Sequence, residues 1–199
     1  MGLSTFFNNE NMNVLKLISP IPPSVNHYTK SRGVKRGNKI SSFVYSTNEA
    51  KTYKKDFGEY VKEEVVKQNF IKSDDKYRQY DVYMTCYFNR IDMDPQNYDK
   101  CMLDAITESK SVWFDDNIVA LKVDRIYYDR KNPRIELSIK IREHIGIFNN
   151  EEDMRLFENK CKSCNRYNRN CKILNQAKHG FIQDDVIERT CIKYKKRKG

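Results

Sequence analysis

The sequence lacks any apolar run of about 18 residues, the minimum for an ordinary transmembrane helix. Its first residues, MGLSTFFNNENMN, contain neither the basic n-region nor the apolar h-region of a secretory signal. No internal repeat and no long low-complexity stretch is visible. These absences argue against a membrane protein, a secreted protein and a repeat array. We therefore expect a cytoplasmic protein with no membrane partner.

The composition indicates a folded, basic chain. Its 199 residues include 37 Lys or Arg and 27 Asp or Glu, which gives a net charge of +10. Thirteen Tyr and ten Phe supply large side chains for a core, so wholesale disorder is not expected. A positive balance favours a polyanion such as nucleic acid as partner, although a merely solvated basic surface would have the same composition. The densest basic patch is the tail, residues 193–198.

Residue patterns predict an α+β fold with the element order β-β-α-β-α-β-β. Alternating or β-rich segments predict strands at 14–18, 42–46, 80–88, 118–128 and 134–141, and apolar spacings of three to four predict helices at 46–65 and 97–109. Between the first two strands, residues 29–40 hold two glycines and five basic side chains. That composition is typical of a mobile basic hairpin or loop.

The pattern changes to a charged, cysteine-bearing segment near residue 149. We therefore expect three parts: a polar leader at 1–13, a main domain at 14–148, and a basic segment with its tail at 149–199.

Acidic residues cluster around the second predicted helix. Asp92, Asp94 and Asp99 lie near its start, and Asp115 and Asp116 follow its end. Mg²⁺ prefers hard oxygen ligands, and a metal held by these carboxylates would neutralise a phosphate and polarise an attacking water. The neighbouring Lys100 could contact the same phosphate. Aspartates are also common at helix N-caps and in turns, so a purely structural role is the alternative.

Four separated motifs resemble the RusA family of Holliday junction resolvases, whose pattern runs Pro-Pro-Ser-x-Asn-x-x-Tyr, Asp-x-Asp-Asn-x-x-Lys, a helical Asp, and Asp-Asp before a strand. The matching segments are PPSVNHY at 22–28 with Tyr45-Ser46 before a helix, DPQNYDK at 94–100, LDAI at 103–106 and WFDD at 113–116. The similarity covers roughly residues 14–142 and follows the predicted element order.

This resemblance implies a RusA-like mixed sheet with two main helices and a Mg²⁺- or Mn²⁺-dependent endonuclease that resolves four-way or other branched DNA by symmetric phosphodiester hydrolysis. It further implies a homodimer of bacterial or phage origin. The site residues that it implies are Asp94 and Asp116 as metal ligands, Asp92 or Gln96 completing the shell, Lys100 stabilising phosphate charge, Asn97 orienting the helix start, and Asp115 and Asp104 as further candidates.

DNA contacts are expected from the basic 29–40 segment and two further positions. The candidates are Lys30, Arg32, Lys35, Arg36, Asn26 and Arg90. Asn26 resembles a family position near the active face, and an Asx-turn after the proline pair is its structural alternative.

One position departs from the family pattern and leaves two registers open. Gln96 stands where the family has its second Asp; alternatively, Asp92 and Asp94 form the Asp-x-Asp pair with two residues inserted before Asn97. Glutamine can ligate a metal through its carbonyl oxygen but brings no charge. A junction-binding protein with weakened catalysis on the same scaffold is therefore the alternative function.

Four of the six cysteines lie in the C-terminal segment with the spacing C-x₂-C-x₆-C-x₁₉-C. They are Cys161, Cys164, Cys171 and Cys191. This spacing predicts a structural Cys₄ Zn²⁺ site, because four thiolates bind one tetrahedral Zn²⁺ and a segment poor in apolar residues needs such a staple. Free thiols on a flexible tail, or His179 as fourth ligand, are the alternatives. A zinc-stabilised adaptor for a protein partner is a third possible function, and Cys86 and Cys101 are predicted to be buried thiols.

Overall fold

The computed structural model describes residues 13–36, 39–143, 145–182 and 184–197, without the side chains of residues 34–36, 39 and 40. All of the predicted leader except Asn13 therefore lies outside the description. Chain contacts divide the protein into two units. One comprises the described residues up to Lys76 together with Tyr80–Ile141, and the other comprises Tyr77–Gln79 together with the chain from Arg142 onward.

The first unit contains six strands and three helices. In chain order they are β1 (Val14–Pro20), α1 (Val25–Tyr28), β2 (Thr29–Arg36), β3 (Lys39–Ser46), α2 (Asn48–Lys67), β4 (Tyr80–Phe88), α3 (Asp99–Ser109), β5 (Val119–Tyr128) and β6 (Arg134–Ile141). Four strands form a mixed sheet in the order β1-β6-β4-β5, in which β4 and β5 are parallel and the other pairs antiparallel. The mixed α/β architecture and the mixed sheet agree with the sequence prediction.

Residue alternation explains how the sheet forms its core. In β1, Leu15 and Leu17 are buried, whereas Lys16 and Ile18 between and after them are exposed. This period of two places one face of the strand on the core. Helices α2 and α3 cover the core with apolar side chains at helical spacing, and the single Trp of the chain, Trp113, is fully buried in the same cluster.

A separate two-stranded hairpin, β2–β3, stands apart from the four-stranded sheet. The sequence predicted a short strand at 42–46 and only a hairpin or loop at 29–40, whereas the structure pairs Thr29–Arg36 with Lys39–Ser46 along their whole length. The one-turn helix α1 was not predicted. Four residues are too few for apolar periodicity to reveal a helix.

The second unit contains two further helices that the sequence analysis did not predict. Its elements are α4 (Glu151–Lys162), α5 (Ile173–Lys178), β7 (Val186–Ile187) and β8 (Thr190–Cys191). The described residues thus contain five helices, more than the two main helices expected. Asn150 caps α4 by accepting the Asp153 N–H at 2.8 Å, and acidic residues in the first turn with lysines in the last suit the helix dipole.

A small apolar cluster of Phe148, Phe157, Ile173 and Ala177 forms the core of this unit. The ring of Tyr77 belongs to the same unit and lies with its centroid 5.0 Å from that of His179. None of the helices in the described part of the chain combines the length and the apolar character needed to cross a bilayer.

Candidate active site

A lysine between two carboxylates forms the centre of the acidic region. Lys100 Nζ, in the first turn of α3, lies 2.7 Å from Asp104 Oδ1 and 2.9 Å from Asp116 Oδ2. Asp104 is one helical turn further along α3, so it shares the helix face of Lys100. Asp116 lies in a 3₁₀ turn just before β5. The network therefore connects the start of α3 to the turn that precedes β5.

The charge state of Lys100 follows from this arrangement. Hydrogen bonds from its ammonium group to Asp104 and then to Asp116 raise the pKa of Lys100 above its usual value, although desolvation acts in the opposite direction. Lys100 is therefore a stable cation near neutral pH. It can neutralise phosphate charge, but it is unsuited to act as a general base.

Tyr28 adds a hydrogen bond that the sequence analysis did not anticipate. Its hydroxyl donates to Asp104 Oδ2, so the last residue of α1 is attached to α3. Burial and this hydrogen bond raise the pKa of Tyr28, which keeps the hydroxyl protonated as a donor. The only signal in the sequence was the position of this tyrosine at the end of the PPSVNHY motif. From the sequence, Asp104 could be either a surface charge or a site residue. In the structure it contacts both Tyr28 and Lys100.

Asp94 and Asp115 both cap 3₁₀ turns. Asp94 Oδ1 accepts the Gln96 N–H at 3.0 Å, and Asp115 Oδ1 accepts the Asn117 N–H at 3.1 Å. Each carboxylate therefore stabilises the start of its turn, which is the capping role given above as the alternative to metal binding. Both side chains also remain exposed, so a cap does not prevent a second oxygen from binding a ligand.

Asp99 lies at the start of α3 and is partly buried. Desolvation raises the pKa of its carboxyl above the usual range, and the nearby negative charge of Asp94 adds to the rise, while backbone hydrogen bonds and Lys100 oppose it. Asp94, Asp99 and Lys100 thus interact electrostatically at one end of the helix.

Asp92 and the two amide candidates occupy the approach to α3. Asp92 Oδ1 pairs with Arg90 Nε at 2.9 Å, and both side chains are about two-thirds exposed. Gln96 and Asn97 belong to the 3₁₀ turn Pro95–Asn97, in which Gln96 is exposed and Asn97 half-buried. Asn97 donates its backbone N–H to Asp94 O at 3.0 Å, which helps to fix the turn.

The expected DNA-binding residues fall at three places. Lys30 and Arg32 are exposed on β2, Asn26 is exposed on α1, and Arg90 is held by Asp92. Lys35 and Arg36 belong to β2 by their backbone, and their side chains lie outside the described part.

The cysteines separate into two groups. Cys86 in β4 and Cys101 in α3 are buried free thiols, as predicted. In the second unit, all four remaining cysteines line one cavity of about 140 Å³, although Cys191 is separated from the others by long stretches of sequence. Desolvation and the three neighbouring thiols raise the pKa of Cys161 to about 11.

Neither the acidic cluster nor the cysteine cavity is arranged to hold a metal as it stands. Within the residues that the structure describes, no three Cys, His, Asp or Glu side chains form a group that could hold a metal ion. The Mg²⁺ and Zn²⁺ sites therefore stay predictions.

Comparison with known proteins identifies the family. A family model described as Endodeoxyribonuclease RusA matches residues 20–140, from the end of β1 into β6, which is more than half of the chain. No curated protein matches the sequence. The matched range contains the whole network of Tyr28, Lys100, Asp104 and Asp116. The chain therefore belongs to the RusA family of endodeoxyribonucleases.

Proposed function

We propose that this protein is a divalent-metal-dependent endonuclease that resolves Holliday junctions or other branched DNA. The observation that carries the proposal is the bridge from Lys100 to Asp104 and Asp116 within a family of endodeoxyribonucleases. A protonated lysine set among carboxylates is an arrangement that phosphodiester hydrolysis can use, because the reaction builds negative charge on the phosphate.

The chemical type of the donors, though not their arrangement in the structure, suits a hard divalent cation. Asp94 and Asp116 would hold Mg²⁺ or Mn²⁺ together with Gln96 or Asp92, and Asp104 adds a carboxylate beside Lys100. All of these donors are oxygens, and Asp94 and Gln96 are exposed to solvent, as a site that retains metal-bound water requires. The chemistry that the metal supplies when bound is a polarised water and partial neutralisation of the phosphate.

The protein's own groups position the substrate phosphate. In hydrolysis a water molecule loses a proton as its oxygen bonds to phosphorus, and the bond from phosphorus to one sugar oxygen then breaks as the departing oxygen takes up a proton. Lys100 would stabilise the extra charge on the non-bridging oxygens between these two events. Tyr28 would act as a positioning residue, because its hydrogen bond orients Asp104 against Lys100.

A second copy of the chain would allow paired cuts. A four-way junction has two-fold symmetry, so two identical acidic sites would cut symmetrically related strands. The outer edge of β5 supports a homodimer. No further strand pairs with that edge in the described part of the chain, and its last seven residues, including Ile126, Tyr127 and Tyr128, are exposed. The Ile126→Lys variant should be monomeric in light scattering at concentrations where the wild type is dimeric.

The C-terminal unit would bind one structural Zn²⁺ through Cys161, Cys164, Cys171 and Cys191. Three features support this proposal: the four thiols line one cavity, the apolar core of this unit is small, and Cys164 Sγ accepts the backbone N–H of Lys195 at 3.5 Å. Four thiolates are the ligand set of many structural zinc sites, and such sites contribute to folding directly.

Metal analysis tests the zinc proposal independently of nuclease activity. Purified protein should contain about one zinc per chain. The Cys161→Ser variant should lose the metal and unfold at lower temperature, whereas Cys101→Ala, which removes a thiol outside the cavity, should retain it. Zinc-free wild-type protein with unchanged thermal stability would overturn this part of the proposal.

A cleavage assay tests the nuclease proposal. The substrates are a synthetic four-way junction and a matched linear duplex, each with Mg²⁺, Mn²⁺ or EDTA, and the variants are Asp116→Asn and the exposed α2 control Asp56→Asn. Paired symmetrical nicks that require metal and Asp116 would support resolution. Junction binding without cleavage in either metal would favour the binding-only alternative, which Gln96 supports. If the protein neither binds nor cleaves the junction in preference to the duplex, both the nuclease proposal and the binding-only alternative are wrong.

A further inference from the structure

The β2–β3 hairpin has two chemically different faces. Residues directly opposite each other in an antiparallel pair point to the same face, and faces alternate along each strand. Lys30 pairs with Tyr45, and Arg32 pairs with Phe43. These four residues therefore share one face. Near the base of the hairpin, the other face carries small and hydroxyl-bearing residues together with Val44, and the Lys35–Ile40 pair follows on that face toward the tip.

The aromatic rings on this face are not used by the protein's own core. Phe43 is 53% exposed and Tyr45 is 46% exposed, and neither belongs to the apolar clusters of the fold. Exposed aromatic rings interleaved with cations are the composition of surfaces that bind single-stranded nucleic acid.

The charge around the hairpin has one sign. Residues 11–48 contain no Asp or Glu and six Lys or Arg. No carboxylate pairs with Lys30 or Arg32 among the residues that the structure describes. A long acid-free segment that presents cations is complementary to a phosphate backbone.

The base of the hairpin is fixed to the acidic site. Thr47 donates its backbone N–H to Tyr28 O at 3.1 Å and its hydroxyl to His27 O at 2.9 Å, so both ends of the hairpin meet at one point. The Tyr28 hydroxyl donates to Asp104, whose partner is Lys100. Two hydrogen-bonded residues, Tyr28 and Asp104, therefore connect the base of the hairpin to Lys100 in the acidic site.

We infer that the face formed by Lys30, Arg32, Phe43 and Tyr45 binds unpaired nucleotides at the branch point of the DNA. The bases stack on the two rings, and the two cations contact the flanking phosphates. Unpaired nucleotides are the occupant favoured here, because base planes are accessible to a ring only where the duplex is open. This inference rests on the proposed function and specifies how that site selects branched DNA.

Binding experiments in EDTA test the inference without cleavage. The probe is a four-way junction with 2-aminopurine at the branch point, beside a matched linear duplex. Wild-type protein should quench the fluorescence on binding, because a stacked base loses emission. The Phe43→Leu and Tyr45→Leu variants should lose quenching and each weaken junction binding about tenfold. The control Val44→Leu, on the opposite face, should bind as the wild type does.

A double variant separates the contribution of stacking from that of charge. The protein that carries both Lys30→Gln and Arg32→Gln should bind junction and duplex equally more weakly, and its binding should depend less on salt concentration. If the wild type prefers the junction but the two aromatic variants bind and quench normally, the hairpin inference fails alone. If the wild type shows no preference for the junction, the proposed function itself fails.

Discussion

Lys100 Nζ lies 2.9 Å from Asp116 Oδ2, and this contact connects the first turn of α3 with the residue that opens the turn before β5. The two residues are 16 positions apart, and the chain between them contains the rest of α3 and the buried Trp113. The position of the cation therefore depends on how the crossover between the parallel strands β4 and β5 packs. Mutations in this crossover should affect catalysis through the same contact.

Removing the cation should slow cleavage without preventing binding. Lys100→Met deletes the ammonium group and leaves the α3 backbone intact, because Met is a good helix former. We expect the rate of junction cleavage to fall about 100-fold to 1000-fold. Single-turnover cleavage and junction affinity should be measured for this variant and for the exposed α2 control Lys62→Met. Equal rates for the two variants would remove Lys100 from the mechanism.

The two registers before α3 share Asp94 and differ in whether cleavage also needs Asp92. Asp94→Asn retains an oxygen that can cap the turn, so the fold should persist while cleavage falls about 100-fold. Asp92→Asn loses only an exposed ion pair with Arg90, and its cleavage rate should stay within about threefold of the wild type. Cleavage rates at several Mg²⁺ concentrations would compare them. An Asp92→Asn variant as inactive as Asp94→Asn would favour the register in which Asp92 and Asp94 form the pair, and an active Asp94→Asn would contradict both registers.

Two glycines should respond to alanine in opposite directions. Gly58 lies inside α2, and a Cβ there would meet Ala105 O at an ordinary 3.5 Å, so Gly58→Ala should stabilise the first unit by about 0.5–1 kcal/mol. Gly146 has a φ of +70°, and a Cβ there would lie 2.0 Å from Ala177 O. Gly146→Ala should therefore destabilise the second unit by about 2 kcal/mol or more.

Urea unfolding would measure both effects. Trp113 fluorescence reports on the first unit, because this single Trp belongs to its core. Far-UV circular dichroism reports on both units. A Gly146→Ala protein with an unchanged circular dichroism transition would contradict the close approach to Ala177.

Thiol reactivity should follow burial. Desolvation raises the pKa of Cys86 and of Cys101 to about 11. At pH 8 a thiol with this pKa is roughly one part in a thousand thiolate, about a hundredfold less than an ordinary thiol, and only the thiolate reacts. Mass spectrometry after brief iodoacetamide treatment with a zinc chelator should find Cys171, which is exposed, modified well before either buried thiol. Early modification of Cys101 would indicate that α3 opens locally.

The main sheet was predictable because its strands alternate clearly. The expected strand at 80–88 matches β4, and the one at 134–141 matches β6, since half-buried strands place apolar residues at every second position. The α4 helix was missed because charged residues dominate its composition, although Asn150 caps its start, its first turn is acidic and its last turn is basic.

The acidic region was predictable in composition but not in its contacts. The spacing indicated Asp94, Lys100 and Asp116 as candidates. That Lys100 binds Asp104 and Asp116 depends on the tertiary path of the chain after α3, and the attachment of Tyr28 depends on where α1 lies. The aromatic face of the hairpin was missed for the same reason, because Phe43 and Arg32 become neighbours only through strand register.

The second unit is discontinuous in sequence, since Tyr77–Gln79 belongs to it although more than 60 residues of the nuclease unit follow before Arg142. A chain that ended after Ile141 would still contain Tyr77 and Gln79. The Tyr77 ring would then lose its contacts with His179 and Phe181, and the Gln79 carbonyl would lose the hydrogen bond that the Arg142 N–H donates. During synthesis, Tyr77–Gln79 can form these contacts only after the C-terminal part of the chain has left the ribosome. Loss of the C-terminal unit in evolution would therefore leave three residues in the loop before β4 without the contacts that they make now.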